Sequence, residues 1–89
     1  MKRNVEGDSG RHEAGLERVA GRLRRELHDG LDRDDTLDGL KRVYRDHAWL
    51  LFRRSGTEPL IRVYSDAPTR ERALDLAERG ERLLRECLA

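Results

Sequence analysis

Arg53-Arg54-Ser55-Gly56-Thr57-Glu58-Pro59, followed at once by Leu60-Ile61-Arg62-Val63-Tyr64, is the stretch on which the reading of the chain turns. Before it, residues 48–53 alternate, with Ala48, Leu50 and Phe52 on one face and Trp49, Leu51 and Arg53 on the other. After it, residues 60–65 do the same, with Ile61 and Val63 opposite Arg62 and Tyr64. Pro59 stands at the start of the second run, where a missing N–H does least harm. Two short runs this close together predict a hairpin, with the intervening loop exposed at its tip on a rigid base.

The loop has the composition of an oxyanion holder. Ser55 and Thr57 donate through hydroxyls. Gly56 lets backbone N–H groups turn inward, because glycine tolerates positive φ and carries no Cβ. Arg53 and Arg62 offer planar, permanently charged forks that match phosphate oxygens. A purely structural loop is the alternative, its hydroxyls capping turns and its arginines paired with Glu58 and Asp66.

This run resembles the phosphate-binding signature of the α-D-phosphohexomutases, the phosphoglucomutase/phosphomannomutase superfamily, which has the form Arg-x-Ser-Gly-Thr-Glu-Pro-x-x-Arg-Val. Asp38-Gly39-Leu40-Lys41 is similar to the Asp-Gly-x-Lys that opens the preceding strand pair in those enzymes. The likeness covers residues 36–89 well, and the first 35 residues in shape only. It implies a C-terminal domain, residues 1–89 forming one piece of a larger multidomain enzyme, with a TATA-binding-protein-like α+β fold. It also implies that phosphate is held by Arg53, Ser55, the Gly56 backbone and Thr57. Arg62 matches the second arginine of the motif, and either touches phosphate or braces Glu58. Arg54 fills a variable position and receives no role.

The same resemblance implies an intramolecular phosphotransferase that interconverts hexose 1-phosphate and hexose 6-phosphate through a bisphosphate. The domain would anchor the phosphate that is not being transferred. The family's phosphoserine loop, its Asp-x-Asp-x-Asp magnesium loop and its sugar loop are not in this sequence. Mg2+ would therefore be bound by another domain, no catalytic residue is assigned here, and the isolated domain would be inactive. The expected partners are a phosphosugar and the remaining domains of the same enzyme. Arg-Val-Tyr after the proline favours the phosphoglucomutase/phosphomannomutase branch over phosphoglucosamine mutase.

Working outward from the loop, residues 38–44 read as the strand before it, joined to 48–53 by a tight Arg45-Asp46-His47 turn. Residues 69–88 read as an amphipathic helix, started by Asp66-Ala67-Pro68-Thr69. Its buried stripe is Ala73, Leu76, Ala77, Leu84, Cys87 and Leu88, with Gly80 allowing close approach to the sheet. Residues 12–28 form another such helix through Leu16, Val19, Ala20, Leu23 and Leu27, capped by Ser9 and stopped near Gly30. The first six residues are either a strand or a lead-in. The fold expected is α+β, an antiparallel sheet of about four strands with two helices on one face, in the order β-α-β-β-β-α.

Asp29, Asp32, Asp34, Asp35 and Asp38 invite a calcium-loop reading that their spacing refuses. Such a loop needs Gly at its sixth position and Glu at its twelfth. Counting from Asp32 gives Leu37 and Val43, and counting from Asp34 gives Gly39 but Arg45. The segment is expected to be a solvated acidic connection.

With 89 residues there is room for one core and no deep closed site. Hydrophobic residues are 36% and charged residues 42%, so a few stripes must supply that core. A net charge of +1 and 4% aromatic content argue against a nucleic-acid partner. The absence of a long apolar run argues against a membrane, and a lone Cys87 fits a reducing cytoplasm.

Overall fold

The computed structural model describes residues 1–7, 9–56 and 58–89, with Ser9 described by its backbone alone. In chain order the elements are β1 (Lys2–Glu6), a short 3-10 turn (Ser9–Arg11), α1 (His12–Leu23), β2 (Leu31–Asp35), β3 (Leu40–Tyr44), β4 (Trp49–Arg54), β5 (Leu60–Asp66) and α2 (Arg70–Leu88). The strands form one antiparallel sheet in the order β1-β5-β4-β3-β2. The α+β class agrees with the sequence reading, but the sheet has five strands rather than about four.

The additional strand is β2, the segment expected to be an acidic connection. It lies at the sheet edge, its residues after Leu31 are exposed, and it is held through backbone pairing to β3. An edge strand needs no apolar alternation, so Leu-Asp-Arg-Asp-Asp carries no strand signature. At the opposite edge β1 exists, with Val5 as its contribution to the core.

The alternation expected for β4 and β5 is present. Ala48, Leu50, Phe52, Ile61 and Val63 are all fully buried, while Trp49, Leu51 and Tyr64 lie half-buried on the other face. The two helices cover the first face through Val19, Leu23, Leu76, Leu83 and Leu84. At the start of α2 the Thr69 hydroxyl accepts the Arg72 N–H at 3.2 Å, satisfying one of the orphan donors of the first turn. The α2 stripe is buried as read, with Leu83 added and Leu88 only partly covered. Gly80 lets the helix sit directly on the sheet, since a Cβ there would lie 2.9 Å from Leu50 Cδ1 and 3.1 Å from Val63 Cγ1.

Helix α1 ends at Leu23, short of the expected 28. Leu27 takes a left-handed φ of 58°, and Gly30, with φ 72°, belongs to the turn into β2 rather than to the helix end. Arg11 occupies the N-cap position without a side-chain cap bond, and the Ser9 side chain expected there lies outside the described residues. Beneath the end of α1 lies Arg42, 2% exposed, on the helix-facing side of β3 between Leu40 and Tyr44. Its Nη1 donates to the carbonyl of Glu26 at 2.6 Å, and its Nε and Nη2 donate to the two Asp34 oxygens at 2.8 and 3.2 Å. The Tyr44 hydroxyl donates to the Leu27 carbonyl at 3.0 Å. The Arg25 N–H closes the helix end on the Arg22 carbonyl, and side chains tie the chain beyond it to β3.

Between β2 and β3, Gly39 has a φ of 122°, and a Cβ on it would stand 2.6 Å from the Phe52 carbonyl oxygen. Side chains are excluded there on both counts. Gly39→Ala is expected to destabilise the fold by about 2–3 kcal/mol, read as a lowered urea midpoint at unchanged slope. An unshifted midpoint would contradict the close approach.

Candidate functional site

β4 and β5 leave and enter the tip of the hairpin in register, pairing Phe52 with Val63, Arg53 with Arg62 and Arg54 with Ile61. The loop is closed by the Ser55 N–H donating to the Leu60 carbonyl at 3.1 Å. Inside it the Glu58 N–H donates to Ser55 Oγ at 3.2 Å. A further bond, from the Gly7 N–H to the Pro59 carbonyl at 3.1 Å, moors the loop to the end of β1. The tip is therefore braced from both neighbours yet remains at the surface, with Gly56, Glu58 and Pro59 exposed.

Arg53 and Arg62 are direct cross-strand partners on the face away from the helices. Like charges placed so are mutually repulsive, and their Cβ atoms are about 5 Å apart. Among the described residues, each has one carboxylate within reach. Arg53 Nη1 lies 3.6 Å from Asp38 Oδ2, and Arg62 Nη2 lies 3.4 Å from Glu58 Oε1. Both pairs are long and solvent-facing, so each is worth little. Arg62 does brace Glu58, as one of the two readings had it. Arg53 meets Asp38, and not Asp66, whose carboxylate accepts the Ala67 N–H. The structural role of the loop's groups is thus real, but it leaves two adjacent guanidinium groups weakly countered.

Of the five residues singled out from sequence, Arg53, Ser55, Gly56 and Arg62 gather at this tip, and Thr57 lies outside the described residues. One expectation needs correction. Gly56 is not in the left-handed region, and a Cβ on it would meet nothing within 4 Å among the described residues. Backbone strain does not require glycine at that position; the site simply keeps open space above it. Arg54 alternates onto the helix side of the sheet, beside Leu16 and Ala20.

The match to known families fits this geometry. Residues 3–83 match the family model described as phosphoglucomutase/phosphomannomutase, C-terminal domain. The chain belongs to that family.

As a phosphoglucomutase/phosphomannomutase C-terminal domain, it has relatives with several substrates in their names. It is 40% identical over 87 residues to a phosphoglucomutase/phosphomannomutase of Thermococcus kodakarensis, covering 98% of this chain and 17% of the relative. It is also 40% identical over 73 residues to a probable phosphoglucosamine mutase of Pyrococcus abyssi, covering 82% of this chain and 16% of the relative. A phosphopentomutase of Thermococcus kodakarensis is 38% identical over 63 residues, covering 71% of this chain and 14% of that protein. The chain spans about a sixth of the length of the relatives it matches.

Outside the tip, several titratable groups of the domain serve the fold. Asp34 is engaged by Arg42 and Asp32 by Arg33, and no group of three or more His, Cys, Asp or Glu is gathered for a metal among the described residues. Burial pushes the Cys87 thiol up, away from reactivity. The Asp46 carboxyl is held low, first by the Ala48 N–H and then by Arg72, locking the β3–β4 turn. No described helix is long and apolar enough to cross a membrane.

Sequence reasoning missed one residue at this site and one beneath the sheet. Asp38, read only as part of a motif, is the carboxylate beside Arg53. Arg42, on the opposite face, was detectable as the polar member of a Leu40, Arg42, Tyr44 face.

Proposed function

We propose that this domain anchors a substrate phosphate in a larger phosphohexomutase, an intramolecular phosphotransferase acting on hexose 1- and 6-phosphates. The observation that carries this reading is the Arg53–Arg62 cross-strand pair beneath a loop of hydroxyls and amides. A dianion placed between the two guanidinium groups relieves their repulsion and replaces two weak carboxylate contacts with charge-assisted bonds. Ser55, the Gly56 amide and Thr57 complete the donor set. Because the grip is on phosphate, the two orientations of a bisphosphate can be held alike, and the phosphate retained is the one not being transferred.

The metal-binding and phosphoryl-carrying groups of the reaction belong, in this reading, to other domains of the same polypeptide. Mg2+ held by those domains would supply positive charge to offset that on the transferring phosphoryl group. This chain's residues orient the far end of the substrate and move no proton. The assembled enzyme is cytoplasmic, and its partners are the phosphosugar and its own remaining domains. Relatives named for phosphoglucosamine support an amino-sugar phosphate as the second substrate candidate.

A charge-assisted hydrogen bond nets about 1.5–3 kcal/mol. Two or three of them barely offset association costs of about 4–15 kcal/mol, which predicts binding no tighter than about millimolar for the 89-residue chain alone. An NMR titration with inorganic phosphate tests this. Millimolar, salt-sensitive shifts confined to residues 53–62 are expected. Micromolar affinity, or shifts that avoid those residues, would contradict the proposal.

A further inference from the structure

The row that pairs Arg53 with Arg62 continues one strand further, to Asn4 of β1, whose Cα partner is Arg62. Its neighbours fix which way it faces. Val5 is buried in the core, and Arg3 reaches α2, its Nη1 3.9 Å from Glu81 Oε1. Asn4 therefore emerges on the open face, exposed, beside the two arginines. Asparagine is depleted in strands. Among the described residues no hydrogen bond engages its amide, so the fold gives no reason for it.

Two residues along on the same face is Glu6, opposite Leu60, exposed and without an ion pair among the described residues. Its negative charge bears on where a ligand lies. Asp38, on the far side of the row, is already matched to Arg53, whereas Glu6 is unmatched. A phosphate dianion therefore settles towards Arg53, and the β1 side is left for an uncharged, hydroxyl-bearing portion. Neighbouring strands are about 4.8 Å apart, so Asn4 lies one strand from Arg62 and about 10 Å from Arg53, a span that fits a phosphate plus the near edge of a sugar ring.

We infer that Asn4 is a sugar-facing contact of this site, its amide hydrogen-bonding a ring or exocyclic hydroxyl next to the phosphate held by Arg53 and Arg62. The inference rests on the phosphate-anchoring reading. An amide suits the task, because it offers donors and an acceptor and can flip to present either. A sugar that enters in two orientations shows different hydroxyls to the same point, and an adaptable group serves both.

Asn4 is the only asparagine of the chain, which has no glutamine, so its side chain gives the only NH2 pair in a 1H–15N spectrum. Titration with a hexose 6-phosphate is expected to move that pair saturably. Inorganic phosphate should leave it in place, while both ligands move the Arg53 and Arg62 Nε–H signals. Asn4→Ala should weaken hexose phosphate binding about 3- to 10-fold and leave inorganic phosphate binding unchanged. An NH2 pair that stays still with the sugar phosphate while the arginine signals move overturns the inference and leaves the phosphate site standing. So does one that moves equally with inorganic phosphate, which makes Asn4 a phosphate ligand. Arginine signals unmoved by either ligand remove the phosphate reading and this inference together.

Discussion

In the full-length enzyme, Arg53→Ala is expected to raise KM for hexose phosphate about 10- to 100-fold, the cost of one or two charge-assisted hydrogen bonds. Arg53→Lys should recover only part of this, since an ammonium keeps the charge but loses the planar fork. The fold should be indifferent to the change. Arg53 is exposed, its 3.6 Å pair with Asp38 is weak, and its removal relieves repulsion from Arg62. Thermal unfolding should therefore shift by no more than about 0.5 kcal/mol in either direction. Loss of substrate affinity with stability retained separates an anchoring residue from a structural one. An unchanged KM, or a KM effect that tracks a large loss of stability, would argue against the anchor.

Arg42→Ala should do the reverse, destabilising the domain by about 2–3 kcal/mol in urea unfolding, mainly through lost packing and hydrogen bonds, while leaving the phosphate tip intact. The guanidinium is buried, and it bridges the carbonyls at 26 and 27 to the Asp34 carboxylate. Truncation leaves the part-buried Glu26 carbonyl without its donor and a cavity where the stem lay. Arg42→Met fills the cavity without restoring the bonds, and should cost about half as much. If both variants unfold with the parent, the tie between α1 and β3 is not important to the fold. Because Arg42 and Arg53 face opposite sides of the sheet, the two effects should add in a double variant.

What the sequence made legible follows from which residues are buried on one side only. β4, β5 and α2 announce themselves because each has an apolar stripe against the core and a polar remainder, so period two and period 3.6 stand out. Leu50 and Phe52 against Arg53, and Leu76 and Leu84 against Glu78 and Arg82, are cases in point. β2 escapes the same reasoning because it is fastened by backbone bonds at an edge, with Asp34 serving Arg42 rather than the core. The end of α1 is misjudged for a related reason. Leu27 keeps the helical spacing of the apolar stripe, yet it is carried out of the helix by a left-handed turn that Arg42 and Tyr44 hold from β3. Contacts of that kind join residues far apart in the chain and leave no periodic trace. The candidate site was legible for the opposite reason: its donors are consecutive or separated by one strand turn, and the hairpin brings Arg62 back to Arg53 by local geometry alone. Asp38, from the turn before β3, and Asn4, from β1, reach the same row from outside the hairpin, and their place there could not be seen from the loop signature.

The measurement closest to the central claim is a crystal structure of the chain with a hexose phosphate bound. The account predicts phosphate oxygens within about 2.7–3.2 Å of both the Arg53 and the Arg62 guanidinium groups and of donors at positions 55–57, with Asp38 and Glu58 displaced from them. Phosphate seated elsewhere on the domain, with both arginines still paired to Asp38 and Glu58, would contradict it.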